Sequence, residues 1–217
     1  MIIHHIGKNN SILNKFIAEI RDNAIQKDSL RFRRNIERIG EIIGYELSKT
    51  IAYTNKNIKT PLGSKNINLP AKNIVICSIL RAGLPLHQGL LNYFDDAENA
   101  FISAYRHHPN QDDDFEILVE YFAAPSIQGK TLLLVDPMLA TGQSLIAVYK
   151  AIKKQRTVNE IHIAAVIGSI EGIEFIKSNF PENTHLWIAA IDEQLNDKGY
   201  IVPGLGDAGD LAFGTKL

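Results

Sequence analysis

Residues 132–145 read LLLVDPMLATGQSL, and no other stretch constrains the fold as tightly. An apolar run ends at Asp136, small residues follow at Ala140, Thr141 and Gly142, and helical periodicity then extends over Ser144–Gln155. A buried strand that turns at once into a helix is the building unit of an α/β sheet covered on both faces. The rest of the chain repeats it. Asn73–Ile79, Phe101–Tyr105, Glu116–Phe122, Thr131–Val135, Ile161–Ile167 and His185–Ile191 read as strands, and Ile170–Asn179 as a helix. The predicted class is α/β, a mostly parallel sheet flanked by helices.

The first third is different. Residues 11–27 place Ile12, Leu13, Phe16, Ile17, Ile20 and Ala24 at helical spacing behind Ser11 as N-cap. Asp28 or Ser29 caps a second predicted helix running to about Lys49, with Phe32, Ile36, Ile39, Ile43 and Leu47 on one face. We read residues 1–50 as a helical arm added to one domain of 217 residues. Residues 51–72 read as a hairpin or loop excursion, and His4 and His5 as part of a mobile terminus.

Composition narrows the function classes. With 23 Lys+Arg against 24 Asp+Glu, the net charge of -1 disfavours a general nucleic-acid binder. Arg31, Arg33, Arg34 and Arg38 read as a solvated helix face or subunit contact. A single cysteine, Cys77, excludes an internal disulfide and reads as a small buried hydrophobe. The sequence lacks a membrane-length apolar run and a secretory leader, so a cytoplasmic protein is expected.

The loop after Asp136 has the chemistry of a phosphate cradle. Free N–H groups and the positive dipole end of a helix suit an anion, and Gly142 lets the backbone come close. Walker A and GxGxxG patterns are both missing. A capped strand–helix turn with no ligand has the same spacing, so these residues alone leave both readings open. Arg81, in ILRAGLPL (79–86) at a strand tip, has the forked donors that suit phosphate oxygens; a surface arginine at a helix start is the alternative. Arg106 alone would be a solvated loop charge. His107-His108 with Asp112-Asp113-Asp114 reads as a flexible acidic loop rather than a metal cluster. Gly199, Gly204, Gly206, Gly209 and Gly214 crowd around Asp207 and Asp210, which suggests a backbone-lined surface and no packed helix.

DPMLATG (136–142), ILRAGLPL, Tyr105-Arg106 and IDEQLNDKGYIVPGLGDAGDLAFGT (191–215), with RFR (31–33) more weakly, resemble the uracil phosphoribosyltransferase family. Departures are Gln143 for a second glycine, IDEQLN for IDQGLN, and GSIEGI for AAPEGI. The resemblance implies a type I phosphoribosyltransferase fold and transfer of phosphoribosyl from phosphoribosyl pyrophosphate (PRPP) to uracil, giving UMP and pyrophosphate. It assigns PRPP binding to Arg81, Arg106, Asp136, Pro137, Met138, Leu139, Ala140, Thr141, Gly142, Gln143, Ser144 and Asp207. Uracil falls to Ile201, Gly206, Asp207 and Ala208 in a C-terminal hood, residues 192–217, and catalysis to Asp207, Arg81 and Arg106. A cis peptide is implied beside Arg81. Mg²⁺ is expected to arrive with PRPP, with no direct protein ligand assigned. Uracil presents an N3–H between two carbonyls; cytosine reverses part of that edge and would leave site groups unpaired. Relatives form homodimers or homotetramers, and GTP activates some of them. The alternative reading is a regulatory uracil-nucleotide sensor that binds RNA on the same fold, although the charge balance gives it little support.

Overall fold

The computed structural model describes residues 1–70, 73–107, 116–154 and 158–216, and the side chains of all of these except 105–107 and 116–119. In chain order the elements are β1 (Ile2–His5), a 3₁₀ turn (Ile6–Lys8), α1 (Leu13–Arg21), α2 (Ser29–Ser48), β2 (Tyr53–Thr60), β3 (Gly63–Pro70), β4 (Ile74–Leu80), α3 (Leu84–Leu91), β5 (Glu98–His107), β6 (Glu116–Ala123), β7 (Thr131–Val135), β8 (Met138–Leu139), α4 (Gln143–Lys153), β9 (Glu160–Ser169), α5 (Ile170–Asn179), β10 (His185–Asp192), β11 (Gln194–Leu195), β12 (Ile201–Val202) and α6 (Ala208–Phe213). The main sheet runs β1–β10–β9–β7–β4–β5–β6, with β8 also on β9. Its pairs are parallel apart from β5–β6, which is antiparallel.

The continuous apolar runs are explained by burial on both faces. Val75, Cys77, Leu132, Leu134, Ile163, Ala165, Leu186 and Ile188 pack with α4 and α5. Their sequence neighbours Ile76, Leu133, Val135, Ala164, Val166, Trp187 and Ala189 pack with α1, α2 and α3 on the opposite face. Cys77 is fully buried, and burial pushes its thiol up to about 12, as fits a packing residue.

The N-terminal helices belong to that second core. On α2, Phe32, Ile36, Ile39, Ile43 and Leu47 are all buried, and Asp28 caps the helix by accepting from the Arg31 N–H. Each such burial contributes roughly 1.5–3 kcal/mol. Helix α1 is shorter than the spacing predicts. Asp22 adopts an extended conformation and its Oδ1 accepts from the Ala24 N–H, a local bond that competes with helix continuation. Ser11 Oγ accepts from the Leu13 N–H at 3.2 Å, so it still helps to start the helix.

The expected mobile terminus is instead an edge strand. β1 pairs with β10, the His4 ring lies 3.7 Å from Trp187 at an interplanar angle of 4°, and His4 Nε2 is 3.0 Å from His185 Nδ1. Ladder bonds and ring stacking hold what an apolar-pattern argument misses. Residues 53–70 form the β2–β3 hairpin, which is largely exposed, with Leu62 at its tip. Among the described residues, no helix is long and apolar enough to cross a membrane.

Candidate active site

Beyond the C-terminal end of β7 lies a cleft of about 560 Å³. This is where open α/β sheets bind ligands. Asp136, Met138, Leu139, Ala140, Thr141, Gly142, Ser144 and Leu145 form one wall. Gly142, with φ +77°, supplies no side-chain cap to the start of α4, and the side-chain contact there is a long 3.5 Å approach of the Gln143 N–H to Thr141 Oγ1. That left-handed turn brings the helix end to the cleft, the arrangement that suits an anion. The missing side chain itself is explained differently from the sequence expectation. A Cβ on Gly142 would lie 2.8 Å from Ile176 Cγ2 and 3.2 Å from Phe175 Cδ1, so it would strike α5 and not a ligand. The loop is also braced from behind, since Ser169 Oγ donates to Ala140 O at 2.6 Å. A Cβ on Gly172 would be 2.0 Å from that same carbonyl, so only glycine permits the approach.

Asp136 Oδ1 accepts from the Met138 N–H at 3.2 Å. Burial pushes its carboxyl up to about 7, against the lowering by that N–H. It is therefore a group of changeable charge at the strand tip.

The opposite wall comes from the C-terminal segment. β11 and β12 make a short hairpin whose turn is shaped by Asn196: its Oδ1 accepts the N–H groups of Lys198 and Tyr200 at 3.0 and 2.9 Å. Gly199, Gly204 and Gly206 have φ of +73°, +60° and +90°, and the Val202–Pro203 peptide is cis. Lys198–Ile201 and Gly206–Gly209 face the cleft. The glycine-rich stretch does contain a helix, α6, contrary to expectation. Asp207 caps it, accepting from the Asp210 N–H at 2.9 Å, and its small residues Ala208, Gly209 and Ala212 are buried. The other Asp207 oxygen is 3.7 Å from Lys216 Nζ. Beside α6 the Leu80–Arg81 peptide is cis, as the resemblance implies. Arg81 Nη2 donates to Asp210 Oδ1 at 3.3 Å and to Gly214 O at 3.2 Å.

The uracil phosphoribosyltransferase family profile matches residues 8–215. The chain belongs to this family. It is 50% identical over 217 residues to the uracil phosphoribosyltransferase of Porphyromonas gingivalis, covering 100% of both chains. Against the uracil phosphoribosyltransferase of Pyrococcus furiosus it is 39% identical over 206 residues, covering 94% of this chain and 86% of the relative. A solved structure from Aquifex aeolicus superposes with a TM-score of 0.88 at 29% identity, with 100% of both chains covered. A Staphylococcus aureus hypoxanthine phosphoribosyltransferase reaches a TM-score of 0.50 at 15% identity, covering 87% of this chain and 84% of that one, a likeness of fold alone. The fold is that of type I phosphoribosyltransferases.

Most residues that the uracil phosphoribosyltransferase motifs single out gather on this one cleft. Asp136, Met138–Gly142 and Ser144 stand on one side, with Ile201, Gly206, Asp207 and Ala208 on the other. Pro137 is not on the wall. It is buried, and its carbonyl accepts the N–H groups of Val166 and Ile167. Gln143 is exposed beside the cleft with negative φ, as a first-turn residue should be. Arg81 is drawn toward Asp210 and the tail, leaving Ala82 to line the cleft. The backbone of Arg106 pairs with Ile117 in β5–β6; its side chain, and His108 and Asp112–Asp114, lie outside the described residues. Lys216 reaches the cleft from the tail, and no sequence signal marks one lysine near the C-terminus for this.

Proposed function

We infer that this protein transfers phosphoribosyl from PRPP to uracil, giving UMP and pyrophosphate, and acts as a cytoplasmic pentosyltransferase in pyrimidine salvage. The observation that carries the reading is the shared cleft: a helix start with its strand-tip carboxylate on one wall, and a backbone-rich slot on the other. The 5-phosphate rests against Met138–Ser144, and Asp136 accepts from the ribose hydroxyls. Arg81 and Arg106 face the pyrophosphate, Arg81 exchanging Asp210 and the Gly214 carbonyl for phosphate oxygens. Uracil lies against Ile201, Gly206, Asp207 and Ala208, and its N1 meets the anomeric carbon on the face opposite the leaving group. The C–O bond to pyrophosphate breaks as the N1–C bond forms, through an oxocarbenium-like state, and the N1 proton passes to the departing pyrophosphate or to solvent.

Mg²⁺, if bound with PRPP, would supply positive charge to offset the pyrophosphate. Among the described residues no group of three His, Cys, Asp or Glu side chains is placed to hold a metal. Asp136 and Asp207 are the carboxylates on the cleft wall, which fits an ion held mainly by the substrate's own oxygens. A homodimer or homotetramer is proposed from the exposed β2–β3 hairpin, which presents Tyr53, Leu62 and Ile67 to solvent; light scattering tests it. GTP is proposed as an effector on the family resemblance alone, tested by adding it to the assay.

UMP formation from PRPP and Mg²⁺ with a panel of bases decides the main reading. Uracil and 5-fluorouracil should react and cytosine should not. Equal turnover of cytosine or hypoxanthine overturns it. Nucleotide binding without turnover, together with a shift of total RNA in a gel, points to the sensor instead.

A further inference from the structure

The slot wall is held from behind by the beginning of the chain. Arg21, the last residue of α1, makes a forked pair with Asp192, the last residue of β10: Nη2 to Oδ1 at 2.7 Å and Nη1 to Oδ2 at 2.8 Å. The same two side chains grip both backbone groups of Gly204. Arg21 Nη1 donates to the Gly204 carbonyl at 3.0 Å, and Asp192 Oδ2 accepts from the Gly204 N–H at 2.8 Å. Gln26, just past α1, adds a bond from Nε2 to the next carbonyl, Leu205 O, at 3.2 Å.

Gly204 does not line the cleft, but it lies between the two segments that do, Lys198–Ile201 and Gly206–Gly209. Fixing both peptide planes at Gly204 therefore fixes where Ile201 and Gly206 present their main-chain groups. Ile201, Leu205, Ala208 and Ala212 share one apolar cluster with Leu13 and Ile20 of α1, so the ion pair acts on a seam that is already packed. Asp192 is nearly buried, with a side-chain exposure of 7% against 23% for Arg21. Burial pushes its carboxyl up, yet the bonds from Arg21 and the Gly204 N–H outweigh this and hold it below the usual carboxylate range. The pair is therefore charged, with the carboxylate nearly buried and both of its oxygens hydrogen-bonded. Neither member lines the cleft.

We propose that Arg21 and Asp192 are positioning residues for base recognition, setting the slot wall through Gly204 without touching either substrate. The proposal rests on the uracil-slot reading above. The phosphate loop hangs on β7 and α4 and is braced by Ser169 of β9, the ladder partner of Asp192. Among the described residues no hydrogen bond joins the loop directly to the Arg21 or Asp192 side chain, whereas Gly204 is bonded to both, so the base should feel their loss more than PRPP.

The test is steady-state kinetics on Arg21→Gln, Asp192→Asn and Arg21→Lys, varying uracil and PRPP in turn, with thermal unfolding of each variant. The uracil KM should rise about tenfold or more in Arg21→Gln and Asp192→Asn while the PRPP KM stays within about twofold, because a small misplacement of one wall is costly only to the ligand it contacts. Arg21→Lys should recover part of the loss, since it restores the charge but not the fork. If Arg21→Gln does not fold, Asp192→Asn and Arg21→Lys give the same comparison. A loss confined to maximal rate and melting temperature, with both KM values unchanged, makes the pair merely structural and overturns the proposal. Wild-type protein that makes no UMP from uracil refutes the substrate reading first, and the proposal falls with it.

Discussion

Asp136→Asn should stabilise the ligand-free protein while damaging its function. Burial holds the carboxyl up to about 7, against an ordinary value of 3.8. Between those values the folded state keeps a proton that the unfolded chain has released, so folding stability falls as pH rises through that window. Above about pH 7 the whole cost is present. Holding the ionised carboxylate in the folded protein therefore costs at most about 4 kcal/mol. Asparagine removes the charge and still offers an oxygen to the Met138 N–H. Urea unfolding of both proteins at about pH 5 and about pH 8 should show the variant's advantage growing by about 2.5 kcal/mol, with the pH dependence of all other groups cancelling in the difference. The same variant should have a much higher PRPP KM, because an amide is a weaker acceptor than a carboxylate for the ribose hydroxyls. A stability gap that ignores pH, or that favours wild type at about pH 8, refutes the claim that the strand tip stores an uncompensated charge.

Asp207→Asn should lower turnover at least about tenfold yet move stability by less than about 0.5 kcal/mol, because asparagine caps a helix as well as aspartate; Asp210→Asn should do less to turnover, and the reverse ranking would reassign the carboxylate. Gly142→Ala should cost about 1–2 kcal/mol in denaturant titration from positive φ and the α5 contact, and raise the PRPP KM, whereas Gln143→Gly should leave that KM within about threefold. Burial holds the His162 imidazole down to about 4, against the pull of Glu160. The unfolded chain therefore binds the proton first as pH falls below about 6.5, and wild type should lose about 2–3 kcal/mol relative to His162→Gln by about pH 4.5; parallel loss in both would remove His162 as the cause.

The parts legible in the sequence are those whose burial is simple. β4, β7, β9 and β10 are apolar on both faces, and α2 and α5 carry regular stripes. β1 was hidden because its four residues include His4 and His5, which hold their place by stacking and ladder bonds. α6 was hidden because glycine propensity argues against a helix, while the Asp207 cap and the close fit of Ala208, Gly209 and Ala212 override it. In the site, the loop after Asp136 was legible as strand, small residues and helix. The partners of that loop were not. Ser169, Gly172 and Ile176 lie in a different unit, and the orientation of Gly142 toward them depends on how two helices sit side by side.

Arg21 and Asp192 lie 171 positions apart, so the slot closes only when two segments distant in sequence meet. Contacts of such long range cost loop-closure entropy before they are rewarded, whereas the phosphate loop joins a strand and a helix that are neighbours in sequence. The anion cradle should therefore form early in folding and the wall for the base late, and local opening of the hood should precede loss of the phosphate loop when the protein is destabilised.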